Sequence, residues 1–151
     1  MMTQQDKEFL NKVISECETA SPEALDRMVH EYIDTKGPTP DLVVRLAILY
    51  EQTPIADPYV SIDIAEKALR IDPANPYAFM VIAYVYKYNF GGVPDDVYER
   101  LEILHCKESE MQSMIEFVKS WCWYRKNNKR YVETLKKSIT LCDSYVNVSS
   151  T

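Results

Sequence analysis

What most constrains this chain is a succession of amphipathic segments of helical period, each cut off by a short turn bearing proline or glycine. Over residues 3–18, Phe9, Leu10, Val13, Ile14 and Cys17 fall on one stripe at the three- and four-residue spacing of an α-helix. Ser21-Pro22-Glu23-Ala24 opens a second segment, with Ser21 as N-cap and Pro22 in the first turn. Its apolar face is Leu25, Met28, Val29, Tyr32 and Ile33. Gly37-Pro38 ends it, because glycine adopts the left-handed cap and proline bars continuation. A third helix follows Thr39, with Leu42, Val43, Leu46, Ala47, Leu49 and Tyr50. Asp57-Pro58 starts a fourth, with Ile62, Ala65, Ala68 and Leu69 facing inward.

Asn75-Pro76 starts a fifth helix and Gly91-Gly92 closes it. Its stretch Tyr84-Val85-Tyr86-Lys87-Tyr88-Asn89-Phe90 also alternates as a strand would, but no second strand exists to pair with it. Pro94 starts a sixth, with Val97, Leu101 and Leu104. Ser109 and Gln112 have the spacing of a capping box for a seventh. That helix carries Met114, Phe117, Val118, Trp121 and Cys122. An eighth follows the polar turn Lys126-Asn127-Asn128-Lys129, with Tyr131, Leu135, Ile139 and Cys142. The fold class expected is all-α, about eight antiparallel helices joined by short loops.

At 151 residues the chain suits one domain. Its net charge of −6 is unevenly placed. Residues 1–110 hold 20 acids and 10 bases, giving −10, and residues 111–151 hold 3 acids and 7 bases, giving +4. An acidic body argues against nucleic acid as partner, since phosphate neutralisation needs clustered Lys and Arg. The N-terminus lacks an apolar core of signal-peptide length. The longest uncharged stretch, 73–86, is short of the ~20 residues a membrane span needs. The expectation is a cytoplasmic chain with no membrane contact. Cys17, Cys106, Cys122 and Cys142 form no Cys-x-x-Cys pair, and His30 and His105 are the only histidines. The cysteines are read as buried small hydrophobes, and no metal is expected.

A repeat appears at the fourth turn. Ala68, Leu69, Asp72, Pro73 and Asn75 resemble the junction between two tetratricopeptide repeats. Phe79, Ile82, Ala83 and Tyr86 then fill the large–aliphatic–small–aromatic positions of the following helix, and Val43, Leu46, Ala47 and Tyr50 fill them one repeat earlier. Matching the family's period of about 34 residues requires a two-residue insertion near 54–58. In the last hairpin Val118, Trp121, Cys122 and Arg125 are set at these positions. The chain thus resembles a small, degenerate tetratricopeptide-like protein. The resemblance implies a right-handed α-α superhelix with three degenerate hairpins over 38–146; an N-terminal helix pair over 1–37, without the motif, precedes them and a flexible tail over 147–151 follows.

Catalytic motifs are missing. There is no phosphate loop, nucleophile elbow, zinc-protease motif or acidic calcium loop. Neither enzyme activity nor a cofactor is expected. The resemblance implies instead a concave face that binds a protein or peptide. Carrying the register over places Val44, Ile48 and Glu51 there from the first repeat, Tyr77, Met80, Tyr84, Lys87 and Tyr88 from the second, and Lys119, Trp123 and Lys126 from the third. Tyr77, Met80, Tyr84 and Tyr88 share one helix face opposite Phe79, Ile82 and Ala83. Such two-faced apolarity marks either a fully buried helix or one with a binding surface, and tyrosine suits interfaces. The chaperone-tail clamp of the family is not expected, because Val44 and Ile48 stand where it needs Lys and Asn. The leading expectation is a non-enzymatic interaction module with a basic partner. An immunity protein or antitoxin and an effector chaperone are specialisations of it; a homo-oligomeric structural protein and, last, an enzyme on a helical scaffold are separate readings.

Overall fold

A computed structural model describes residues 1–52 and 54–142, and the backbone alone of 143–150. The chain is all-α. Among the described residues there is no strand and there are eight helices: α1 (Gln4–Glu16), α2 (Pro22–Thr35), α3 (Pro40–Leu49), α4 (Pro58–Ile71), α5 (Pro76–Asn89), α6 (Asp95–Glu102), α7 (Ser109–Trp123) and α8 (Asn128–Ser150). The alternating segment that begins at Tyr84 lies in α5 up to Asn89. The tail expected at 147–151 lies outside the fully described residues.

The starts of the first five helices are spaced evenly. Thr3, Ser21, Thr39, Asp57 and Asn75 stand 18 residues apart, and each accepts a hydrogen bond from a backbone N–H of the turn it opens. Thr3 Oγ1 accepts from Asp6 N at 3.1 Å, Ser21 Oγ from Ala24 N at 3.2 Å and Thr39 Oγ1 from Leu42 N at 3.4 Å. Asp57 Oδ1 accepts from Tyr59 N and Val60 N, and Asn75 Oδ1 from Tyr77 N and Ala78 N. A cap of this kind contributes about 1 kcal/mol by satisfying an otherwise orphaned donor. Proline follows four of the five, at the position where its missing N–H has no consequence. Pro94 stands 18 residues after Pro76 but is itself the N-cap of α6, one position later than the cap interval sets, with no side-chain cap.

Two such intervals make a hairpin of 36 residues, and burial follows that period. Leu25, Ser61 and Val97 are buried, as are Val29, Ala65 and Leu101. Val43, Phe79 and Ile115 are buried, as are Leu46, Ile82 and Val118, and Ala47, Ala83 and Lys119. The expected local insertion near 54–58 is therefore replaced by a uniform interval. The last hairpin is corrected too. Its inward set is Ile115, Val118, Lys119 and Cys122, three residues earlier than the expected Val118, Trp121, Cys122 and Arg125. Arg125 lies past the end of α7 in the left-handed region, with φ of 62°.

The chain divides into two compact units, Met1–Val85 and Tyr86–Thr151, the boundary falling inside α5. In the first unit α3 packs along α4, and α1 against α2 and α3. Val13, Val29, Leu42, Leu46 and Ile64 form its core, while Ile14 of the expected α1 stripe faces solvent. Ser61 reaches across to α3, donating to the Ala47 carbonyl at 2.7 Å. Small residues at both contact points let the two backbones approach. Asp6, 2% exposed, joins three elements. It accepts from the Tyr32 hydroxyl of α2 at 2.9 Å and from the Thr39 backbone N–H and hydroxyl at 3.0 and 2.9 Å. Phe9 stacks on Tyr32, with ring centroids 3.8 Å apart.

In the second unit α7 packs on α6 and on α8. Ser113 and Ser138 each donate to the other's carbonyl at 2.7 Å, so the α7–α8 seam is closed by two small polar residues. The expected apolar stripes are rotated accordingly: Phe117, Ile139 and Cys142 are exposed, and Glu116, Lys119, Ser120 and Ser138 are buried. The expected capping box does not form. Ser109 is the first helical residue after an N-cap at Glu108. Gln112 Oε1 instead accepts from Cys106 N at 2.8 Å.

Candidate functional site

Within the first unit, three of the residues singled out by the repeat register meet in one cleft. Val44 and Ile48 lie one turn apart on α3, and Tyr77 is the second residue of α5. Together they line a cavity of about 580 Å3. Val44 is buried and forms its floor, whereas Ile48 and Tyr77 are exposed. Met1 and Pro40 complete the apolar part of the lining, and its polar members are anchored. Arg45 pairs with Asp41 one turn back on α3 at 3.1 Å. Asn75 holds the start of α5 through its cap and donates to Asp72 at 3.2 Å. Both ends of the cleft are therefore fixed by hydrogen bonds, and its apolar patch is bordered by two aspartates and one arginine.

Glu51 follows the end of α3 and is not part of that lining. It is half-buried, and its Oε1 is sealed from solvent with no hydrogen-bond partner among the described residues. Burial disfavours the charged form and pushes its carboxyl up to about 7. On α5, Met80 is half-buried, and Tyr84 and Tyr88 are exposed with Tyr77. The tyrosine face of α5 thus stays open to solvent, opposite a buried face of Phe79, Ile82 and Ala83.

In the second unit, Lys119 and Trp123 line one open cavity of about 260 Å3 together with Tyr98, Glu102 and Arg130, whereas Lys126 is outside that lining. Lys119 is a buried member of that lining. At 6% exposure it is enclosed, bonded to Glu102 at 2.7 Å and to Glu116 at 3.2 Å. The corrected register explains this, since it occupies the small-residue position of Ala47 and Ala83. Burial opposes its charge, but the two carboxylates outweigh burial and raise its pKa overall. Glu102 is correspondingly lowered, by Lys119 first and by a hydrogen bond from Tyr98. Trp123 stacks edge-on against Tyr98 and receives the Arg130 guanidinium at 4.7 Å. Lys126 donates to the Val93 carbonyl and lies 3.8 Å from Asp95, tying the loop after α5 to the end of α7. Lys87 sits among the rings of Tyr88, Trp121 and Tyr124.

Trp121, Tyr124 and Glu116 were missed as members of these clusters. Counting 36 residues from Met80 reaches Glu116, so the cap interval already carried that signal. Of the four cysteines, all free thiols, Cys122 alone is buried, its thiol pushed up to about 12 by burial. Cys17 and Cys106 are half-buried and Cys142 is exposed, which corrects the uniform expectation. Among the described residues no group of three or more His, Cys, Asp or Glu is placed to hold a metal ion. No helix among them is long and apolar enough to cross a membrane.

No protein-family model matches the chain, and neither curated proteins nor solved structures include one significantly similar to it.

Proposed function

We propose that this chain is a non-enzymatic, cytoplasmic interaction module of the tetratricopeptide-like kind, which takes a segment of a protein partner in the α3–α5 cleft. The observation that carries the reading is the convergence of Val44, Ile48 and Tyr77 on one cavity. The repeat register alone puts these three positions on one face. An apolar floor with aromatic and aliphatic walls favours a large side chain of the partner, as in interface hot spots. Asp41 and Asp72 at the margin, on an acidic unit, favour a segment that also carries Lys or Arg.

Selection from a displayed peptide library tests this. Wild type is expected to enrich peptides pairing a bulky apolar residue with basic neighbours. Ile48→Asp and Tyr77→Ala are each expected to weaken those peptides at least tenfold, roughly 1.4 kcal/mol. Both side chains are exposed, so neither change removes core packing. Peptides that bind both variants as tightly as wild type would place recognition elsewhere.

A further inference from the structure

In the second unit, one cation is held by aromatic faces alone. Lys87, in the last turn of α5, places its Nζ 4.2 Å from the Tyr124 ring centroid, 5.3 Å from that of Tyr88 and 5.4 Å from that of Trp121. All three distances are within the ~6 Å over which a ring quadrupole attracts a cation. Among the described residues no carboxylate pairs with this ammonium.

The rings are supported from behind. Trp121 meets the edge of Phe117 at 5.3 Å, and Tyr124 leans on Tyr131 of α8 at 5.5 Å. The chain reverses directly after Tyr124, with Arg125 in the left-handed conformation. Its guanidinium lies 5.4 Å from the same Tyr124 ring. Tyr88 is 65% exposed, so one wall of the enclosure faces water.

We propose that Tyr88, Trp121 and Tyr124 form a binding site for a methylated ammonium group, which Lys87 occupies as an internal stand-in. Three ring faces around a positive charge are the arrangement that selects quaternary ammonium ligands over metal ions or anions. Lys87 leaves by rotation of its flexible stem, and its departure strands no counter-charge. A trimethylammonium group is less hydrated than –NH3+ and carries methyl groups that contact the rings, so it competes for the enclosure. The site is independent of the α3–α5 cleft.

The test titrates tetramethylammonium into the full chain and follows the Trp121 indole N–H by NMR, assigned with Trp121→Phe. Lys87→Ala and Lys87→Met both remove the ammonium from the site, and the second keeps the apolar stem should the first fail to fold. Either folded variant is expected to give a saturable shift at least tenfold tighter than wild type. Adding Tyr124→Ala to that variant is expected to abolish it. A trimethyllysine peptide and phosphocholine then serve as two arms: tighter binding of the first assigns the ligand to a protein side chain, of the second to a lipid or free headgroup. No saturable shift in either folded Lys87 variant, or equal binding after Tyr124→Ala, overturns the proposal.

Discussion

Each unit buries one carboxylate to the same depth and satisfies it by opposite means. Asp6 and Glu116 are both 2% exposed. Asp6 receives only neutral donors, from Tyr32, Thr39 and Thr3. Glu116 receives two ammonium groups, Lys119 at 3.2 Å and Lys137 at 3.3 Å, and the Gln112 amide at 3.3 Å. The first arrangement keeps an isolated negative charge inside by aiming dipoles at it. The second cancels the charge and introduces a buried cation that needs its own partners. Neutral donors converging on one carboxylate are specific to geometry, because nothing else at the site attracts them. An ion network is redundant: Lys119 retains Glu102 if Glu116 is lost.

The largest effect should therefore come from Asp6. Asp6→Ala leaves the Tyr32 hydroxyl and both Thr39 donors without their acceptor, at a cost of roughly 3 kcal/mol. Thermal and denaturant unfolding would measure it, and a loss below about 1 kcal/mol would remove the network from the stability of the first unit. The same carboxylate sets an acid limb. Burial raises its pKa, but the hydrogen bonds from Thr39, Tyr32 and Thr3 outweigh burial, so the net shift is downward. A depressed folded value means the contribution is complete above the unfolded pKa, about 3.9, and is lost as pH falls through the folded value. Stability measured between pH 5 and pH 2 should fall less steeply in Asp6→Asn than in wild type.

A smaller effect is expected from Glu116→Gln, about 1–2 kcal/mol, although the group is equally buried. The amide still accepts from one lysine, and Lys119 keeps its 2.7 Å bond to Glu102. If this variant proves as costly as Asp6→Ala, the redundancy is wrong and Glu116 is the anchor on which Lys119 depends.

The helices were legible because their caps are local. Thr3, Ser21, Thr39, Asp57 and Asn75 act on the next three residues and need no tertiary information. So was the first-unit cleft, since Val44, Ile48 and Tyr77 follow from helical phase and a repeat interval. What failed was the assumption that charge and exposure coincide. Asp6 and Lys119 sit on helices whose apolar neighbours predict a stripe, yet each is enclosed through partners on other elements: Thr39 lies 33 positions from Asp6, and Glu102 lies on α6. No periodicity encodes such partners. The α7–α8 seam failed for a related reason. Serines at 113 and 138 bring the backbones close and turn Phe117 and Ile139 outward, against the reading by hydrophobicity. The aromatic enclosure around Lys87 needed the reversal after α7, which one left-handed residue sets.

The finest separation of the two arrangements is by salt. Lys137 is 64% exposed and Glu102 53%, so the outer members of the second network stand in water and are screened. The donors to Asp6 carry no net charge, and their hydrogen bonds are nearly indifferent to ionic strength. Raising salt from about 0.05 M to about 1 M shortens the Debye length from over 10 Å to about 3 Å. Hydrogen exchange of α7 and α8 amides should then quicken slightly, by less than about 1 kcal/mol in opening free energy, while α1 and α2 amides do not change. Equal responses in the two units would mean that the Lys119 and Lys137 pairs contribute nothing beyond their hydrogen bonds, and that both carboxylates are held by dipoles alone.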